Sequence, residues 1–142
     1  VEKIVKLALK RADFEKIKQH AVRSYPKECC GLLMGRRDRE ILETKEVIQA
    51  ENVLNSPIAF EADAELVLKA FDKAGKAGLD LIGIYHSHPN IHACVSGRDA
   101  EIMKLWPRVA WLIVSVSKER VVGRKAYMLK GGKIEKLEIA AT

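Results

Sequence analysis

No stretch of this sequence approaches the roughly 20 consecutive apolar residues that a membrane-spanning helix needs. The longest apolar run, residues 79–85, is broken by Asp80 and Gly83. The run "VEKIVKLALKR" lacks the basic-then-apolar layout of a secretion signal, so a cytoplasmic location is expected. There is no CxxC pair among the three cysteines, Cys29, Cys30 and Cys94. That argues against a secreted disulfide framework and against a four-cysteine zinc knuckle. Nor is there a basic stripe with interleaved aromatics. Lys and Arg number 25 against 19 Asp and Glu, but they are spread along the chain, and acids interrupt even the densest group, "GRRDRE". The expectation is a solvated surface with a mild attraction for acidic partners, and no nucleic acid. Gln and Asn are scarce (Gln19, Gln49, Asn52, Asn55, Asn90) while Lys, Arg and Glu abound, which leans towards a thermophilic source. Repeats, low-complexity tracts and linkers are missing as well. Residues 1–142 therefore read as one domain, long enough for a real hydrophobic core.

What is present is a succession of short periodic segments. "KIVKLAL" (3–9) alternates as a first strand does. Over residues 11–25, Phe14, Ile17, Ala21, Val22 and Tyr25 share one helical face, with Asp13 as the expected cap and Pro26 as the stop. "CGLLMG" (30–35) reads as a short buried strand, and "ILETKEVIQA" (41–50) as its hairpin partner across the polar turn "RRDRE". Residues 51–63, with Pro57, are extended or looped. A second helix is expected over 63–78, with Leu66, Val67, Ala70, Phe71 and Ala74 as its stripe and Gly75 or Gly78 at its end. A buried strand over 79–88 and a short helix over 96–106, stopped by Pro107, come next. Three strands complete the chain, with "KGGK" turning between the last two. Strands bracket helices in mixed order, so the expected class is α+β: one mixed, curved sheet flanked by helices. Trp106 and Trp111 are expected in the core.

The segment "IYHSHPNIHACVSGRD" (84–99) concentrates the chemistry. A strand sends alternate side chains to one face, so His86 and His88 point the same way. Asp99 follows eleven residues after His88, at the start of the third helix. Two imidazoles and a carboxylate make a catalytic zinc set, with the fourth position left for water. Other pairings fit less well. His88 and His92 have helical spacing but lie in a segment that opens with Pro-Asn, a turn signal. His92 and Cys94 fall in a loop with no strand to direct them. "SGRD" is also an S-x-x-D capping pattern, with Ser96 as the cap and Asp99 at the third helical position. Ser96 could serve either as that cap or as a hydroxyl facing an oxyanion. A zinc hydrolase further needs a carboxylate to move the proton of the water. Composition does not choose among 19 acids, although Glu28, where "SYPKE" meets the buried strand "CCGLLMG", has the most suggestive setting.

Taken together, "PKECCGLLMG" and "GIYHSHPNIHACVSGRD" resemble the JAMM/MPN+ zinc metalloprotease family, close to its small stand-alone archaeal, desampylase-like members. The resemblance runs from the first helix to the Trp111 strand and implies an MPN/cytidine-deaminase-like fold. It implies one Zn2+ held by His86, His88 and Asp99, with Glu28 as general base and acid and Ser96 stabilising the oxyanion. The implied activity is an isopeptidase that removes a ubiquitin-like modifier with a Gly-Gly tail from protein lysines, acting as monomer or homodimer. An alternative is a peptidase that trims an amino acid or small adduct from a ubiquitin-like sulfur carrier. A non-catalytic scaffold is the third possibility. Ser87 is expected to support the loop, not to bind metal. Val95 stands where the family often has proline. Residues 51–63 offer an edge for strand addition by the modifier tail. A disulfide from Cys94 to Cys30 or Cys29 would brace the active-site loop, and three buried free thiols are the alternative.

Overall fold

The computed structural model describes residues 3–142; Val1 and Glu2, which belong to the expected domain, lie outside the described residues. The alternation at the start of the chain yields a strand over Lys6–Leu9 (β1), where Leu7 and Leu9 point inward. Helix α1, Arg11–Ser24, follows because Phe14, Ile17 and Ala21 recur at helical spacing and are buried together. Its cap is Lys10, which makes no side-chain bond; Asp13 is not the cap. Asp13 sits inside the first turn, where a carboxylate favours the positive end of the helix dipole, with Lys16 at 3.8 Å.

Strand β2 (Cys30–Asp38) pairs antiparallel with β3 (Ile41–Ala50). The turn between them is tighter than expected. Arg36, Arg37 and Asp38 continue the ladder, and the chain reverses at Arg39, whose φ is 55°. The β2–β3 register slips between Met34 and Gly35, and such a bulge adds bend and twist. A side chain at Gly35 would lie 1.9 Å from the Glu43 carbonyl oxygen, so only glycine admits this approach.

Helix α2 (Ala64–Lys76) ends through Gly78, whose φ of 73° suits glycine, while Leu79 N–H donates to Ala74 O at 2.8 Å. Of its expected stripe, Ala70 and Ala74 are buried, but Phe71 is 39% exposed. Strands β4 (Asp80–Pro89) and β5 (Ala110–Val116) are parallel neighbours, a pairing that requires a crossover; helix α3 (Gly97–Met103) lies in it. Strands β6 (Val121–Lys130) and β7 (Lys133–Ala141) form the final hairpin.

The sheet runs β1-β3-β2-β4-β5-β6-β7 and closes, because β1 pairs in parallel with both β3 and β7. The expected curved sheet of an α+β domain is thus a closed barrel. Closure follows from β1 having two free edges that parallel partners can reach. One apolar cluster joins α1 to Leu33, Leu42, Leu112 and Val114. A second joins α2 and α3 to Leu32, Ile84, Phe60 and Trp111. Trp111 is fully in the core and Trp106 is partly buried against the second cluster. Strand β4 is buried on both faces from Leu81 to Pro89, so any polar group it carries there must find a partner. Among the described residues, no helix is long and apolar enough to cross a membrane.

Candidate metal centre

Strand β4 lies between β2 and β5, with His86 opposite Cys30 on one side and Ile113 on the other. Alternation turns His86 and His88 to the same face, and their Nε2 atoms are 3.0 Å apart. After Pro89 the chain turns at Asn90, whose φ is 62°, and is pinned there by Asn90 N–H to Val116 O at 2.8 Å. It returns as α3. Ser96 caps this helix: its Oγ accepts from Asp99 N–H at 3.0 Å, and Asp99 Oδ2 accepts from Ser96 N–H at 3.1 Å. The same carboxylate meets both imidazoles, Oδ1 at 3.1 Å from His86 Nε2 and Oδ2 at 3.0 Å from His88 Nε2. The capping box and the three-donor group share Asp99.

Electrostatics follow from burial. His86 and His88 are 0% and 1% exposed and Asp99 is 4% exposed. Burial disfavours the charged form of His86 and lowers its pKa. Burial opposes charge on His88 too, but its hydrogen bonds to Asp99 and to the His92 carbonyl, with the nearby carboxylates, prevail and raise its pKa. Burial pushes the Asp99 carboxyl up, yet the hydrogen bonds from His86, His88 and Ser96 hold it well below the usual carboxylate range.

The donor set fits a small divalent cation. Three donor atoms from His86, His88 and Asp99 face one another, all buried. Donors around one four-coordinate zinc stand roughly 3.3 Å apart, close to the spacing found here. His88 Nδ1 lies 3.0 Å from the His92 carbonyl oxygen, which can only accept, so Nδ1 can keep its proton there while Nε2 gives up its own to present a lone pair to a metal. The His86 ring stacks on Phe60, centroids 4.6 Å apart, and meets Trp111 edge-on. An apolar wall of this kind limits solvent access to the donors.

Glu28 is buried just before β2. Continuing the β2–β4 register beyond Cys30 and His86 sets Glu28 across from His88, on the same side of the sheet. Its Oε1 has no hydrogen-bond partner among the described groups. Burial pushes its pKa up to about 7, with His88 opposing the shift and Asp99 adding to it. A carboxyl so tuned can both take and give a proton near neutrality.

Ser87 departs from its expected role. Its N–H donates to Cys29 O at 3.1 Å, but its hydroxyl accepts from Cys29 N–H at 2.8 Å. It therefore supports the entry to β2 beside Glu28, not the loop after β4. The cysteines are free, Cys29 and Cys30 buried and Cys94 exposed. No disulfide braces the loop: Cys94 stays at the surface, while Cys29 and Cys30 are buried in different apolar clusters. Residues 51–63 form no free strand edge either. The segment folds on itself through the Asn52–Ala62 bridge and Val53 N–H to Glu61 O at 2.9 Å. Two contributors had no sequence signal: the His92 main chain, discarded along with its side chain, and Phe60, an aromatic in an irregular loop.

The model of prokaryotic homologs of the JAB domain matches residues 10–130. A desampylase of Pyrococcus furiosus is 42% identical over 106 residues, 70% of this chain and 72% of that protein. A probable TtuB-protein conjugate cleaving protease of Thermus thermophilus is 37% identical over 127 residues, covering 89% and 78%. A solution structure from Desulfitobacterium hafniense superposes with a TM-score of 0.83 at 29% identity, covering 96% of this chain and 92% of that one. A JAB1/MPN domain protein of Archaeoglobus fulgidus, 21% identical, shares the fold with a TM-score of 0.58, covering 95% and 98%.

Proposed function

The chain belongs to the prokaryotic branch of the JAB (JAMM/MPN+) domain family, and from that premise we propose that it is a zinc-dependent isopeptidase. Its substrates are lysine conjugates of a ubiquitin-like modifier ending in Gly-Gly. The observation that carries this reading is the convergence of the His86, His88 and Asp99 donors with a buried, proton-accepting Glu28 across from His88. The names of two relatives, a desampylase and a conjugate-cleaving protease, support the same substrate class.

His86, His88 and Asp99 would hold the zinc. Bound there, it would supply Lewis-acid polarisation of the scissile carbonyl and a more acidic water at neutral pH. Glu28 would take the proton of the attacking water on its carboxylate and return it to the departing lysine amine. Its raised pKa suits both halves of that transfer. Ser96 Oγ already accepts from the Asp99 N–H, which leaves its own proton free to donate to the oxyanion of the tetrahedral intermediate. No side chain is acylated. Beside the site, a cavity of about 440 Å³ is lined by Leu54, Phe60, Arg98, Ile102 and Trp106. It suits a narrow, extended tail without bulky side chains.

The test is mass spectrometry of the products from a lysine-conjugated ubiquitin-like modifier, with and without chelator. Expected are an intact modifier with a free C-terminal carboxylate and an unmodified lysine, formed only without chelator. Cleavage that survives chelation and stops with a thiol-blocking reagent would replace this mechanism with a cysteine nucleophile.

A further inference from the structure

Glu28 lies two residues before β2, outside the regular ladder, and β4 reaches the peptide that follows it only through the Ser87 hydroxyl, which accepts from Cys29 N–H at 2.8 Å. The loop 51–62 holds the remaining main-chain groups of Glu28. Glu28 N–H donates to Ser56 O at 2.8 Å, and Glu28 O accepts from Asn52 Nδ2 at 3.0 Å. The second Nδ2 proton goes to Ala59 O at 2.9 Å. On the other side of the amide, Oδ1 accepts from Leu54 N–H and Glu61 N–H, both at 3.1 Å. All four hydrogen-bonding capacities of one primary amide are thus used. The orientation has no alternative: two carbonyls demand donors on one side, and two N–H groups demand an oxygen on the other.

Two of these four bonds, to residues 59 and 61, bracket Phe60, whose ring stacks on His86. One side chain therefore ties the peptide of Glu28 to the segment packed against a metal-site imidazole. The Glu28 carboxylate has no polar anchor at Oε1, so its place depends on its backbone and packing. We propose that Asn52 is a positioning residue of the hydrolytic reaction, holding Glu28 at its working distance from His86, His88 and Asp99 through the Glu28 peptide. The inference rests on the isopeptidase reading above, in which Glu28 moves the proton.

Two substitutions separate this role from simple loop closure. Asn52→Ala removes all four bonds. Asn52→Asp keeps the acceptor for Leu54 and Glu61 but turns an oxygen towards Glu28 O and Ala59 O. Misplacing a catalytic group by about an ångström costs on the order of 100-fold in rate. Both variants should lose about that factor in kcat per metal-loaded molecule, with KM nearly unchanged. Hydrogen exchange of the Leu54 and Glu61 amides should quicken in Asn52→Ala and stay slow in Asn52→Asp. Exchange at β2 and β4, and metal content, check that each variant is folded and loaded; if Asn52→Ala does not fold, Asn52→Asp carries the test alone.

Parental kcat in Asn52→Asp would overturn the proposal, because the hold on Glu28 would then be dispensable. A loss confined to KM would overturn it as well and assign Asn52 to substrate docking. A loss that disappears on dividing by folded, metal-loaded protein would make the role merely structural. Glu28→Gln, assayed alongside, keeps the two readings apart. An active Glu28→Gln refutes the proton-transfer mechanism itself, whereas an inactive one beside fully active Asn52 variants refutes only the role of Asn52.

Discussion

The Nδ1 atom of His88 lies 3.0 Å from the main-chain oxygen of His92. The contact depends on the path of the loop after β4 and not on the identity of the residue that supplies the carbonyl. His92→Ala should therefore leave metal stoichiometry and affinity at the parental value and change stability by no more than about 0.5 kcal/mol. His88→Ala should abolish stoichiometric metal binding. Metal titration of both variants by calorimetry checks the contrast, and loss of binding in His92→Ala would make its imidazole a ligand.

Glu28 should make the metal-free protein less stable as pH rises. Its pKa is about 7 in the fold against an ordinary value of 4.5, so below about pH 4 both states are protonated and no stability is lost. Between these values the unfolded chain releases its proton first, and the stabilisation is lost as pH passes through about 7. From about pH 4 to about pH 8, the stability difference should move towards Glu28→Gln by about 3 kcal/mol. Titrating groups remote from Glu28 are common to both proteins and cancel, whereas His88, whose pKa the Glu28 carboxylate helps to raise, adds its own smaller change. Denaturant melts of the two metal-free proteins across that range provide the measurement, and a pH-independent difference would refute the expectation.

Ser87→Ala would leave the buried Cys29 N–H without its acceptor. An orphaned buried donor costs about 1–3 kcal/mol, so the urea midpoint should fall with the slope of the transition preserved. Because Cys29 follows Glu28 directly, turnover should fall as well, at unchanged metal content. Full stability in the variant would mean that another group takes over the N–H.

The thiols should divide by burial. Cys94 is exposed, whereas burial pushes Cys29 up to about 11 and Cys30 up to about 12. A thiol reagent should therefore modify one cysteine rapidly in the native protein and all three only after unfolding. Cys94→Ser should melt with the parent, with or without reductant. A native protein that shows no free thiol at Cys94, or a melt that depends on reductant, would restore a disulfide.

Several parts of this molecule were legible in the residue order because they depend on local rules. The two-residue period of a strand is enough to put His86 and His88 on one face, and the S-x-x-D spacing is enough to start α3 at Ser96. Apolar spacing located α1 and α2, although in α2 only Ala70 and Ala74 of the stripe are buried and Phe71 stays at the surface. The cap of α1 was misread because an acid within the first turn satisfies the helix dipole as well as one at the cap position. Glu28 had only a suggestive setting at the entrance to a buried strand, and its role came from the resemblance, since composition does not separate one carboxylate from another.

The residue order by itself determined which donors exist, which way β4 aims two of them, and that a helix start follows within one crossover. Tertiary structure alone decided that Asp99 reaches both imidazoles, that Glu28 lies across from His88, and that the sheet closes through β1. It also decided that Cys94 remains apart from Cys29 and Cys30, and that the His92 carbonyl and Phe60 belong to the site. These are distances between segments remote in sequence. They arise from strand register and from packing around a shared core, which periodicity along the chain does not encode.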